Sequence, residues 1–150
     1  MKKFAIATIL AVSAISASAV EVGVTTTTDY SARDANQGFG VTVGQQYGAV
    51  NLTAGYQRFN TEQNDLNRYS LTAGYNVAKL GPVTITPNIG VAYLDNQRVS
   101  DGYSMSVGVA ASVPVAKNVG FVVNASRQYG QQRVSTFDGN AITAGLKYVF

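Results

Sequence analysis

Tyr69-Ser70-Leu71-Thr72-Ala73-Gly74-Tyr75-Asn76-Val77 alternates without a break. Tyr69, Leu71, Ala73, Tyr75 and Val77 share one parity; Ser70, Thr72, Gly74 and Asn76 share the other. In an extended chain successive side chains point to opposite faces, so this spacing predicts a strand with one apolar and one small, polar face. Two aromatics bracket the apolar row, and a glycine sits in the polar row. Both details recur along the chain, and together they decide the fold.

Working outward, the same pattern predicts eight strands, over 20–30, 39–47, 50–57, 69–77, 83–93, 103–113, 119–126 and 142–150. Each is close to the roughly 9–11 residues that a tilted membrane-crossing strand needs. Val122 is an exception on its polar face. Leu52-Thr53-Ala54-Gly55-Tyr56 echoes Leu71-Thr72-Ala73-Gly74-Tyr75, and Ile142-Thr143-Ala144-Gly145-Leu146 is close to both. A duplicated hairpin would account for the echo, and so would the same facing constraints acting on three strands. The links near Gly48, 79–82 and 116–118 read as tight turns. Those over 31–37, 60–67, 95–102 and 130–140 read as polar loops of seven to eleven residues. Short turns on one side and longer loops on the other fit a meandering barrel. No apolar run after the leader reaches the 18 residues of a transmembrane helix.

The leader is residues 1–19. Lys2 and Lys3 precede the apolar stretch 4–12, and Ala17-Ser18-Ala19 offers a small-residue cleavage site, so a secretory signal peptide is expected there and a barrel domain over 20–150. The chain carries 11 Lys+Arg against 8 Asp+Glu; without the two leader lysines the balance is 9 − 8, or +1. The sequence pI of about 9.2 therefore belongs mostly to the leader. No nucleic-acid partner is expected, since that needs a clustered basic face. With no cysteine, an exported chain must hold its fold by backbone ladder and packing alone.

Alternation does not say which face is inside. A soluble sandwich would bury the Val/Leu/Tyr face and expose charges on the other. Here the other face is Gly, Thr, Ser, Asn and Gln, and charged residues are only 13% of the chain, about half the usual share. Small residues relieve crowding inside an eight-stranded bore, which side chains just fill. The aromatics agree: Tyr30, Phe39, Tyr56, Tyr69, Tyr93, Tyr103 and Tyr129 lie at the loop ends, and Tyr47, Tyr75, Phe121, Tyr148 and Phe150 at the turn ends. Two belts around an aliphatic band suit the two interfaces of a membrane. The expectation is an all-β fold, an eight-stranded antiparallel up-and-down transmembrane β-barrel in a Gram-negative outer membrane, with both ends periplasmic and the four loops outside.

The last predicted strand alternates Ile142, Ala144, Leu146, Tyr148 and Phe150. In this it resembles the small eight-stranded outer-membrane proteins, the OmpX/Ail group and the OmpA transmembrane domain. The resemblance covers the whole mature chain at the level of pattern. It implies that Phe150, Tyr148 and Leu146 form an assembly signal read by the barrel-assembly machinery. The chain departs from it in having no Trp, which leaves the belts to Tyr and Phe. Pro87 cannot donate to a ladder and predicts a bulge near the turn end of its strand.

Catalysis is not expected. Enzymatic barrels of this general kind resemble one another in using a histidine base, and this chain has no His. Without His or Cys a transition-metal site is not expected either, nor any cofactor. Glu62, Asp65, Asp95 and Asp101 lack the dense spacing of a calcium loop. Three readings follow: a structural or surface-interaction barrel contacting lipopolysaccharide or host and matrix molecules; a narrow pore; or a soluble secreted β-protein. A monomer is expected. Arg58 and Arg127 keep lipid-facing parity at the loop-end rim, where their guanidiniums would meet lipopolysaccharide phosphates, with Arg33, Arg98 and Arg133 joining from the loops; ordinary snorkelling is the alternative. Glu21 and Lys147 are expected to point inward and meet across the seam between first and last strands. Asp29 and Arg68 are expected in an upper interior network.

Overall fold

The computed structural model describes residues 19–31, 35–60, 65–96, 101–130 and 138–150. The strands are β1 (Val20–Ser31), β2 (Ala35–Tyr47), β3 (Val50–Asn60), β4 (Asp65–Tyr75), β5 (Ala78–Leu80), β6 (Val83–Asn96), β7 (Gly102–Pro114), β8 (Val119–Gly130) and β9 (Gly139–Val149). Every pairing is antiparallel and between neighbours, and β1 also pairs with β9. Because β4 continues onto β6, the sheet closes on itself. The result is an eight-stranded up-and-down barrel, with β5 a three-residue strap on one turn.

The register fixes the geometry. Following opposed residues from Thr86 through Ala110, Asn124, Thr143, Thr27, Gly38, Phe59 and Leu66 leads back to β6 at Asn96, ten residues along (96 − 86). Ten residues of slide at roughly 3.3 Å, against eight spacings of roughly 4.8 Å, give a strand tilt of about 41°. An eleven-residue strand such as β3 then climbs about 27 Å at that tilt, close to the apolar band of roughly 25 Å of an outer-membrane barrel.

The alternating faces are inside out. Val22, Val24, Val41, Leu52, Leu71, Ile89, Val91, Val107 and Leu146 are exposed on the outer wall. Thr25, Thr27, Gln57, Arg68, Asn88 and Gln128 are buried in the bore. Val122 faces the bore as well, lining its cavity.

Two turns owe their shape to glycine. Gly48 and Gly81 take φ of 60° and 62° at the first position of two-residue hairpin turns, where a positive φ matches the twist of the flanking strands. Opposite Pro87 the ladder changes step. Gly74 opposes Asn88 and Ala78 opposes Ile85, so Tyr75, Asn76 and Val77 face only Thr86 and Pro87. Asn76 keeps the bore-facing parity of Gly74, and its amide oxygen accepts from Asn51 Nδ2 (3.0 Å) and Thr86 Oγ1 (2.7 Å). The bulge thus lies on the strand facing the proline, and the β6–β7 register runs through Pro87 unbroken.

At the loop end the ladders run further than the sequence suggests. β1 and β2 stay paired to Tyr30–Ala35, and β3 and β4 to Asn60–Asp65. The four loop-end connections leave only three, four, five and eight residues between strands. The first is shorter than the four-residue turn over 115–118 at the other end. Polar composition there marks strand ends that have climbed past the membrane, which alternation in apolar residues alone does not register.

Candidate functional site

Among the described residues three places carry side-chain chemistry: the closing seam, the bore and the loop-end rim. At the seam, Lys147 opposes both Gly23 and Gly120. Its stem lies over Gly120, where an added Cβ would meet Lys147 Cε at 3.2 Å. Its Nζ reaches Glu21 Oε1 at 2.9 Å, joining β9 to β1. The two side chains retain 24% and 16% of their exposure, so the pair marks the solvent-reached turn end of the bore.

Above it the bore is crossed by amides that skip a strand. Gln57 on β3 donates to Thr27 Oγ1 on β1 at 2.7 Å, and Thr27 shares a hydrogen bond of 2.8 Å with Thr143 on β9. The intervening β2 residue is Gly40, where a Cβ would lie 2.5 Å from Gln57 Cγ. Asn88 on β6 reaches Asn124 on β8 at 2.9 Å in the same manner, over Gly108 on β7. Interior glycines are therefore clearances for crossing side chains, which is more specific than the general relief of crowding inferred from composition. Between these ties lies a cavity of about 200 Å³, lined by hydroxyls and amides together with Ala110, Val122 and Leu146, and reaching from Glu21 and Lys147 to Gln57 and Arg68.

Near the loop end Asp29, Arg68 and Gln128 are all buried. Asp29 Oδ1, Arg68 Nε and both amide atoms of Gln128 have no protein partner. Over this layer lie Phe59, Leu66 and Leu94, each 1% exposed, packed as an apolar cluster inside the barrel. Phe59 opposes Leu66, and its ring lies across Gly38, where a Cβ would sit 2.6 Å from Cε1. Sequence reasoning missed this cluster because it ended the strands at the tyrosines. The signal was present: Phe59, Leu66 and Leu94 are apolar residues on the bore-facing parity at one end of three consecutive barrel strands.

Outside, the aromatic belt at the loop end forms a row. Tyr56 opposes Tyr69, Tyr69 opposes Tyr93, and Tyr93 opposes Tyr103. Ring centroids are 5.2 Å apart for Tyr56–Tyr69 and 5.3 Å for Tyr93–Tyr103. The hydroxyls of Tyr56 and Tyr93 donate to Asn67 and Asp101. Arg58 and Arg127 are exposed on the outer wall at this level. The Arg127 guanidinium lies 5.9 Å from the Tyr129 ring centre, and Nη1 reaches Asn140 Oδ1 at 3.5 Å. The two arginines sit on β3 and β8, strands that do not pair, so the structure does not bring them into one cluster. Arg33, Arg98, Arg133 and Glu62 lie outside the described residues, as do residues 1–18 of the expected leader. At the turn end Tyr148 and Phe150 pack edge to face with centroids 4.9 Å apart, and the Phe150 N–H donates to Val20 O. Leu146 is exposed on the outer wall two residues before Tyr148. Among the described residues no cluster of acidic side chains could hold a metal ion.

No protein-family model matches the sequence, and no curated protein does. Solved structures do. The crystal structure of Neisserial surface protein A, NspA, superposes with a TM-score of 0.63 at 16% identity, over 88% of this chain and 96% of that one. A de novo designed transmembrane β-barrel matches at 0.61 and 15% identity, over 90% and 98%. The outer-membrane protein Ail of Yersinia pestis in a nanodisc matches at 0.55 and 14%, over 88% and 99%. One relative is a design, so the likeness speaks to architecture and not to a task. This chain has the closed eight-stranded antiparallel fold of the small transmembrane β-barrels.

Proposed function

We propose that this chain is an integral outer-membrane barrel whose exposed work is contact with the outer leaflet, Arg58 and Arg127 meeting lipopolysaccharide phosphates at the loop-end rim. The observation that carries the membrane reading is the outer wall. Between the two aromatic rows the described lipid-facing positions are uncharged except for Arg127, which lies two residues inside Tyr129 at the loop-end rim. A charge mid-bilayer would cost about 2–4 kcal/mol, falling to about 0–1 near the interface. A soluble protein would gain nothing from that zoning. The antiparallel ladder with an even number of strands puts Val20 and Phe150, the two ends of the barrel, at the turn end. With export from within, those ends are periplasmic and the four loop-end connections lie outside.

The same wall argues for lipid over protein as the principal partner. With connections of three to eight residues, little chain projects to wrap another protein. A guanidinium on the rim can take a phosphate bidentately, where lysine is a point charge. The decisive test is lipopolysaccharide binding by the folded barrel with Arg58→Gln and Arg127→Gln combined. Weakened binding with an intact heat-dependent gel shift supports the lipid contact; unchanged binding leaves only snorkelled rim charges. Absence of a heat-dependent shift in the wild-type protein would remove the membrane barrel itself. As for conduction, the buried apolar layer of Phe59, Leu66 and Leu94 obstructs the bore, which favours the contact role over the pore.

A further inference from the structure

The bore is not uniformly closed. At the turn end the Glu21 and Lys147 side chains keep 16% and 24% of their exposure. From there the 200 Å³ cavity rises past Thr72, Ser106 and Asn88 to Arg68. Beyond it exposure collapses: Ser104 is at 2%, Asp29 and Gln128 at 1%, and Phe59, Leu66 and Leu94 at 1%. Solvent access therefore falls in one direction along the axis, from the turn end to the loop end.

A second observation points the same way. Four polar atoms without a protein partner, on Asp29, Arg68 and Gln128, sit directly beneath the apolar layer. Buried polar atoms are as a rule satisfied by protein or by water. The aliphatic and aromatic surface above cannot supply that water, but the cavity below can, because Arg68 belongs to both its wall and the orphaned layer. The rest of the wall mixes Thr, Ser, Asn and Gln side chains with Ala110, Val122 and Leu146, and its hydroxyls and amides offer partners to water and small hydrophilic molecules.

We propose that the barrel encloses a blind aqueous pocket, open at its turn end to water and small hydrophilic solutes, and sealed from the loop end by Phe59, Leu66 and Leu94. The pocket does not depend on the lipid contact proposed for the rim. It makes the protein a one-sided vessel: what enters comes from the side of the chain termini, and the far side stays dry.

Ser104 and Ser106 provide the test. They lie two residues apart on β7 and face the same bore, but Ser106 lines the cavity and Ser104 lies in the closed layer. The chain has no cysteine, so Ser106→Cys or Ser104→Cys carries the one thiol present. In nanodiscs, with a small cationic methanethiosulfonate and mass detection, Ser106→Cys should be modified at least tenfold faster than Ser104→Cys. Adding Leu94→Ser, or Phe59→Ser where that variant does not fold, should raise Ser104→Cys to the rate of Ser106→Cys. Equal rates in the parent barrel, or faster modification at Ser104→Cys, would overturn the pocket. Failure of the seal substitution to speed Ser104→Cys in a heat-modifiable barrel would overturn the seal.

Discussion

Lys147 Nζ lies 2.9 Å from Glu21 Oε1, a bond between the last strand of the barrel and the first. The two residues are 126 positions apart, and no earlier hairpin depends on their meeting. The pair is part-exposed, so its worth falls between that of a surface pair and a buried one. Glu21→Gln should lower stability by about 1–2 kcal/mol, and Lys147→Met by a similar amount. The double variant should cost less than the two together, because neither leaves the other's charge uncompensated. Urea unfolding in lipid vesicles measures all three, and full additivity would mean that the contact carries no coupling.

Clearance over glycine makes a sharper prediction. A Cβ at Gly40 would stand 2.2 Å from Tyr56 O and 2.5 Å from Gln57 Cγ, and the carbonyl cannot swing aside. At Gly44 the nearest atom is Thr53 Oγ1 at 3.2 Å, a side-chain tip that can rotate. Gly40→Ala should therefore destabilise by about 1–3 kcal/mol, the usual range for overpacking, and Gly44→Ala by less. The Gly40 variant should also disturb the Gln57–Thr27 bond, visible in the Gln57 side-chain amide resonances. Equal effects at both positions would mean that barrel glycines matter only by composition.

The zoning of the outer wall can be measured directly. Leu71 is exposed in the middle of the β4 outer face, two residues below Tyr69. Leu71→Arg should cost about 2–4 kcal/mol, whereas Arg127→Leu near the rim should change stability by about 1 kcal/mol or less. Reversible unfolding from bilayers gives both numbers. In detergent micelles, which offer no fixed apolar slab, the gap between the two should narrow.

Much of this was legible in the alternation. Tyr69 to Val77 shows two faces, and the shortage of charge on the polar one says which is inside, because no soluble surface is built from Gly, Thr and Asn alone. The Glu21–Lys147 contact could be anticipated from parity and from the need to close first strand on last. Phe59, Leu66 and Leu94 could not be sorted by hydropathy, since an apolar residue on the bore side looks like a lapse in the pattern until three adjacent strands repeat it at one height. Strand ends were misjudged for a related reason. The ladder runs on to Tyr30–Ala35 and Asn60–Asp65, past the aromatic row, where pairing persists but apolar alternation no longer marks it. The bulge opposite Pro87 was signalled by the proline, but which strand carries the extra residue depends on a register that only the paired structure supplies.

The apolar layer also decides how the barrel behaves under voltage. Phe59, Leu66 and Leu94 close the bore at the loop end, with the buried Arg68 and Gln128 directly below. Eight strands leave an interior that side chains can fill, and an apolar constriction excludes water and with it ions. The wild-type barrel inserted into a planar bilayer should therefore carry no step current. Replacing Leu66 and Leu94 together by Ser removes most of the aliphatic surface without adding charge, and should give small, flickering steps. Their selectivity should fall when Arg68→Gln is added, because the fixed guanidinium then no longer repels cations from the bore. Steady conduction by the wild-type protein would mean that the seal opens readily on its own, and the layer would then be a gate in motion and not a plug.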